Sequence, residues 1–130
     1  MEQRLTFITL GVKDLQKSID FYENKLGWKP SEMSTKEIVF YQLNGMHLSL
    51  YPLKELAKDA EVDPAGNGFK GFTISYNAKS EKDVDEIIDA LRKKGVNIIK
   101  EPQKVFWGGY SSYFSDPDDN LWEVAFNPFL

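Results

Sequence analysis

ITLGVKDLQKSIDFYENKLGW, from Ile8 to Trp28, holds a strand, a helix start, a buried helical stripe and a helix stop in immediate succession. The residues from Leu5 to Val12 are rich in β-branched and aromatic side chains and predict a strand. Asp14 has the right chemistry for an N-cap, because its carboxylate accepts from the free amides of a first turn. Leu15, Ile19, Tyr22 and Leu26 then recur at helical spacing, and Gly27 supplies the left-handed position that ends the helix. Working outward, Trp28 to Met33 and Glu37 to Leu43 read as strands, and Asn44-Gly45 predicts a tight hairpin into a strand from Met46 to Tyr51.

The stretch from Pro52 to Lys70 is polar, with a short helix expected over Leu53 to Lys58 and a loop around Pro64 to Gly68. Strand composition resumes from Gly71 to Asn77, and Ser80 with Asp83 forms a capping box. Val84, Ile87, Ile88 and Leu91 make the stripe of a second helix, closed by Gly95 as Gly27 closes the first. Strands from Val96 to Lys100, Tyr110 to Ser115 and Leu121 to Phe126 follow, the last two joined by a turn at Asp116-Pro117-Asp118-Asp119.

Both halves therefore read β-α-β-β-β, with Phe7 and Phe72 at matching points of their first strands. The expected fold is α+β: two βαβββ modules forming a curved, mostly antiparallel sheet around a cavity. With 130 residues the chain is expected to be one domain, with module one at about 5–52, a linker at 53–70 and module two at about 71–128. A plain ferredoxin-like domain without a cavity is the competing reading of the same pattern.

The stretch Ile8 to Trp28 resembles the opening strand and helix of vicinal-oxygen-chelate proteins, the glyoxalase, bleomycin-resistance and dioxygenase group. GGYSSYFSDPDDNLWEVAFNP, from Gly108 to Pro128, resembles their closing hairpin. The likeness spans roughly residues 5 to 128 and implies the fold more firmly than a reaction, since the group includes isomerases, dioxygenases, antibiotic-modifying enzymes and non-catalytic binding proteins. In its metal-dependent isomerases the first and last strands of each module each give one ligand. Carried over, those positions fall on Phe7, Ser49, Phe72 and Glu123, of which only Glu123 is a metal-binding side chain. His47, the sole histidine, shares a strand face with Ser49 and would be the second donor of an atypical site with Glu123. Two donors fall short of a firm site, so no metal and no cofactor are expected.

Glu123 is the candidate catalytic residue, as a general base, and equally the candidate polar contact for a ligand. Phe7, Phe72, Trp107 and Tyr113 are candidate aromatic walls of a binding site that also includes His47 and Ser49. For Phe7 and Phe72 core packing is the alternative. The alternation of Phe72, Ile74 and Tyr76 with Thr73 and Ser75 leaves open which set faces Glu123. Trp107, before Gly108-Gly109, reads as part of a lid or as a buried anchor of a tight bend.

A net charge of −4 gives no basic field for nucleic acid, and no apolar stretch is long enough to span a bilayer, so neither nucleic acid nor membrane is an expected partner. No secretory leader pattern opens the sequence, and a cytoplasmic location is expected. The absence of cysteine removes thiolate chemistry. The apolar end, Asn127 to Leu130, suggests a dimer interface, and the resemblance also implies homodimers. The reading that combines these features is a metal-independent binder of an unidentified small molecule. The alternative is a lyase, isomerase or related enzyme using an atypical metal site or Glu123 as base. A role in assembly alone is a third reading.

Overall fold

The β-branched run of the opening stretch forms β1 (Phe7–Val12), and Asp14 caps the helix that follows by accepting from the Lys17 amide at 3.1 Å. The computed structural model describes residues 1–130, and the chain divides into two units, Met1–Gly66 and Asn67–Leu130.

In the first unit α1 (Leu15–Asp20) runs into a π-helical turn, Phe21–Lys25, before Gly27 ends it at φ +77°. The wider turn shifts the buried positions. Ser18, Phe21 and Tyr22 are buried, while Leu15, Ile19 and Leu26 of the expected stripe are half-buried. The sheet has order β1-β3-β2, with β2 (Val39–Gln42) antiparallel and β1 parallel to β3 (His47–Pro52). Gly45, at φ +78°, makes the hairpin between β2 and β3. Leu10, Val12, Val39, Tyr41, Leu48 and Leu50 form the buried face. Tyr22 closes this core, its ring 5.9 Å from Tyr41 and 5.6 Å from Trp28.

The strand expected from Trp28 to Met33 does not form. Pro30 lacks an amide, and one ladder-like bond, Ser31 N–H to the Phe40 carbonyl at 2.8 Å, is made. Nearby side chains take amides that a ladder would use: the Ser34 hydroxyl accepts from Phe40 at 2.9 Å and the Thr35 hydroxyl from Ile38 at 3.3 Å. The expected linker contributes α2 (Leu53–Asp59), which lies over Gly11. A Cβ at Gly11 would stand 2.8 Å from Leu53 Cδ1, so the glycine is what allows this close approach.

In the second unit the sheet order is β4-β7-β6-β5, with β4 (Ile74–Asn77) parallel to β7 (Leu121–Phe126). Strands β6 (Tyr110–Ser115) and β5 (Asn97–Lys104) are antiparallel to their neighbours, and β5 extends four residues beyond its expected end. Helix α3 (Glu81–Lys93) is capped by Ser80, which accepts from the Asp83 amide at 3.0 Å, and Asp83 accepts in turn from the Lys79 amide at 3.0 Å. Its Val84, Ile88 and Leu91 are buried with Phe114, Trp122 and Val124. The DPDDN turn is organised by the buried Asp116 carboxylate, which accepts from the amides of Asp118 and Asn120 and from the Asn120 side chain. No helix of either unit is long and apolar enough to cross a membrane.

Candidate functional site

Each sheet has one face turned to its helix and one face carrying the candidate residues. In the second unit the strand alternation that buries Trp122 and Val124 puts Glu123 on the opposite face. There it is paired with Ser75 on one side and Tyr113 on the other. The Ser75 hydroxyl donates to Glu123 Oε2 at 2.7 Å and the Ser111 hydroxyl donates to Oε1 at 3.0 Å. Tyr113, the cross-strand partner of Glu123, stands beside the same carboxylate. Lys100 Nζ lies 5.9 Å from the centre of the Tyr113 ring.

This arrangement holds Tyr113 neutral. Partial burial, then the negative charge of Glu123, then the hydrogen bond to it, raise the phenol above its usual range. Tyr110 is raised to about 12, first by donating to Asp85 at 2.7 Å. Burial and Glu23 raise Tyr41, whose hydroxyl donates to Glu23 Oε1 at 3.2 Å. Because these phenols have higher pKa values folded than unfolded, their contribution to stability is complete below the ordinary tyrosine range and fades as pH rises through the folded values. Ultraviolet titration should therefore show Tyr41, Tyr110 and Tyr113 ionising above the ordinary tyrosine range. Glu123→Gln should bring the ionisation of Tyr113 earlier, and an unchanged Tyr113 titration in that variant would contradict the contact.

In the first unit, Phe7, Phe40, His47 and Ser49 share the face opposite Tyr41 and Leu48. Phe7 stacks on His47 with ring centres 5.1 Å apart, and Phe40 meets Phe7 edge-on at 5.7 Å. Ser49 is fully buried and shares a 2.6 Å hydrogen bond with Thr9, so its hydroxyl is already engaged.

Two expected members stand elsewhere. Phe72 precedes β4 and falls in alternation with Ile74, whereas Ser75 is the residue that meets Glu123. Ser49 pairs with Thr9 in the parallel ladder of the first unit as Glu123 pairs with Ser75 in that of the second. Phe72 lies two residues before β4, outside the β4–β7 ladder, which begins at Ile74. Trp107 is folded onto its own hairpin. A Cβ on Gly109 would stand 2.0 Å from its indole, which seats the ring there and not in the hydroxyl group around Glu123.

The model of the Glyoxalase/Bleomycin resistance protein/Dioxygenase superfamily matches residues 4–124. The chain belongs to this superfamily. It is 29% identical over 126 residues to the uncharacterised protein YraH of Bacillus subtilis, covering 93% of this chain and 96% of YraH. It is 30% identical over 121 residues to the metallothiol transferase FosB of Lysinibacillus sphaericus, covering 93% of this chain and 80% of FosB. Among solved structures, a glyoxalase-related enzyme from Fulvimarina pelagi superposes with a TM-score of 0.88 at 32% identity, over 98% of this chain and 90% of that one.

The metal site that the superfamily implies does not fit these residues. The set of Phe7, Ser49, Phe72 and Glu123 holds one carboxylate and no imidazole, and a neutral hydroxyl is a poor ligand. No three His, Asp or Glu side chains are grouped as a metal site would need. Both oxygens of Glu123 are already acceptors for hydroxyl protons. Sequence reasoning missed Ser75 and Ser111. Their signal was the polar alternation of Thr73 and Ser75 beside an acidic strand, which a one-residue choice of register conceals.

Proposed function

We propose that this superfamily member is a metal-independent small-molecule-binding protein in which Glu123 is the principal polar contact. The observation that carries the reading is the hydrogen bonding of both Glu123 oxygens by the hydroxyls of Ser75 and Ser111. A carboxylate has about four acceptor positions. Two hydroxyls, one on each oxygen, fix the group's orientation and leave about two positions for N–H or O–H groups of a ligand. A general base needs a lone pair aimed at the proton it removes, and a metal ligand needs one free for the ion. The hydroxyl cage serves neither task as well as it serves recognition.

A screen of uncharged organic molecules by ligand-observed NMR, run with a chelator present, tests the proposal. Hits with a donor for Glu123 should persist in chelator and weaken about 10- to 100-fold in Glu123→Gln, the range for a hydrogen bond to a charged group. Binding abolished by chelation would sink the reading. Turnover of a bound compound that is lost in Glu123→Gln would replace it with the general-base enzyme.

A further inference from the structure

We infer that the Phe7, Phe40, Gln42 and His47 face of the first unit is a stacking site for an uncharged, planar aromatic molecule with hydrogen-bonding atoms on its rim. The inference rests on the reading that the chain binds a small molecule, and it assigns the class. Phe7 remains 42% exposed despite lying in a strand whose alternate residues are buried, so the ring leaves apolar surface for another partner. Its contacts with His47 and Phe40 hold the rings in fixed stacked and edge-on arrangements, which is the preorganisation a flat π-system requires.

The polar groups specify the rest. His47 Nδ1 is buried with no hydrogen-bond partner. An imidazole nitrogen without a partner is hydrogen-bonding capacity that the fold leaves unused. The imidazole is therefore available to hydrogen-bond a polar atom on the rim of a molecule stacked beside Phe7. Gln42, opposite His47 in the β2–β3 ladder, adds a carboxamide that makes no side-chain hydrogen bond. Strands β1, β2 and β3 place no Asp, Glu, Lys or Arg on this face, so nothing there compensates a ligand charge.

The sole histidine makes the test direct. Isoquinolin-1(2H)-one, a neutral bicyclic lactam, is titrated into the full chain while the imidazole nitrogens are followed by long-range proton–nitrogen NMR. The expected result is a saturable shift of the His47 signals. A fully saturated lactam of the same size should bind about three- to tenfold more weakly, and Phe7→Leu should weaken the aromatic probe similarly. Phe106→Ala removes an exposed ring outside the site and should leave affinity unchanged. Equal affinity for the saturated lactam, unmoved His47 signals, or loss of binding in Phe106→Ala would overturn the inference. Probe-induced shifts confined to the surroundings of Tyr113 would also overturn it, while leaving the Glu123-centred function standing.

Discussion

Tyr22→Ala is expected to destabilise the first unit by about 3–5 kcal/mol, the range for removing a large aromatic from a packed core. Tyr22 is fully buried. Its ring meets Phe21 at 5.2 Å, Trp28 at 5.6 Å and Tyr41 at 5.9 Å, so its loss opens a cavity bordered by three other rings. Its carbonyl also accepts from the Trp28 amide at 3.0 Å in the turn that ends the helix. Replacement leaves that backbone bond possible, and the predicted cost is therefore one of packing. Urea unfolding followed by tryptophan fluorescence reads it, and a loss below about 1 kcal/mol would mean that the cluster is not a close-packed core.

A comparable loss, about 3–5 kcal/mol, is expected for Trp122→Ala in the second unit. The indole is 5% exposed and stacks on Phe114 with ring centres 6.0 Å apart and planes 5° from parallel. It lies directly before Glu123 in β7 and on the other face of the sheet, so a cavity there loosens the strand that holds the carboxylate between Ser75 and Tyr113. Chemical denaturation should show the loss, and the ionisation of Tyr113 should move toward the ordinary tyrosine range in the folded variant. A stable variant with Tyr113 still held late would separate the core from the candidate site and contradict this coupling.

The fold was legible because its signals are local. Asp14 and Ser80 cap helices, Gly27 and Gly95 end them, and Asn44-Gly45 turns a hairpin through chemistry that acts within a few residues. The false strand after Trp28 shows where local composition misleads. Its alternation looked adequate, but Pro30 and the hydroxyls of Ser34 and Thr35 compete for the pairing. The candidate site was legible in part for a related reason. Glu123 and Tyr113 follow from alternation within their own hairpin, and Phe7 and His47 from the opening strand and the hairpin strand beside it. Ser75 depends on a parallel pairing between residues 48 positions apart, and no short-range signal fixes that register. Phe72 matches Phe7 in type but lies before β4, and Ser75 is the residue of that strand that meets Glu123.

The central claim is that Glu123 serves as an organised hydrogen-bond acceptor and not as a metal ligand. It is tested most directly by the metal content of the untagged chain after incubation with Mn²⁺, Fe²⁺, Ni²⁺ and Zn²⁺ and removal of free ions by gel filtration. The account predicts far less than one ion retained per chain for every metal, with no change in Glu123→Ala, because one engaged carboxylate is no substitute for three protein donors. One ion per chain, retained by the native sequence and lost on Glu123→Ala, would contradict it.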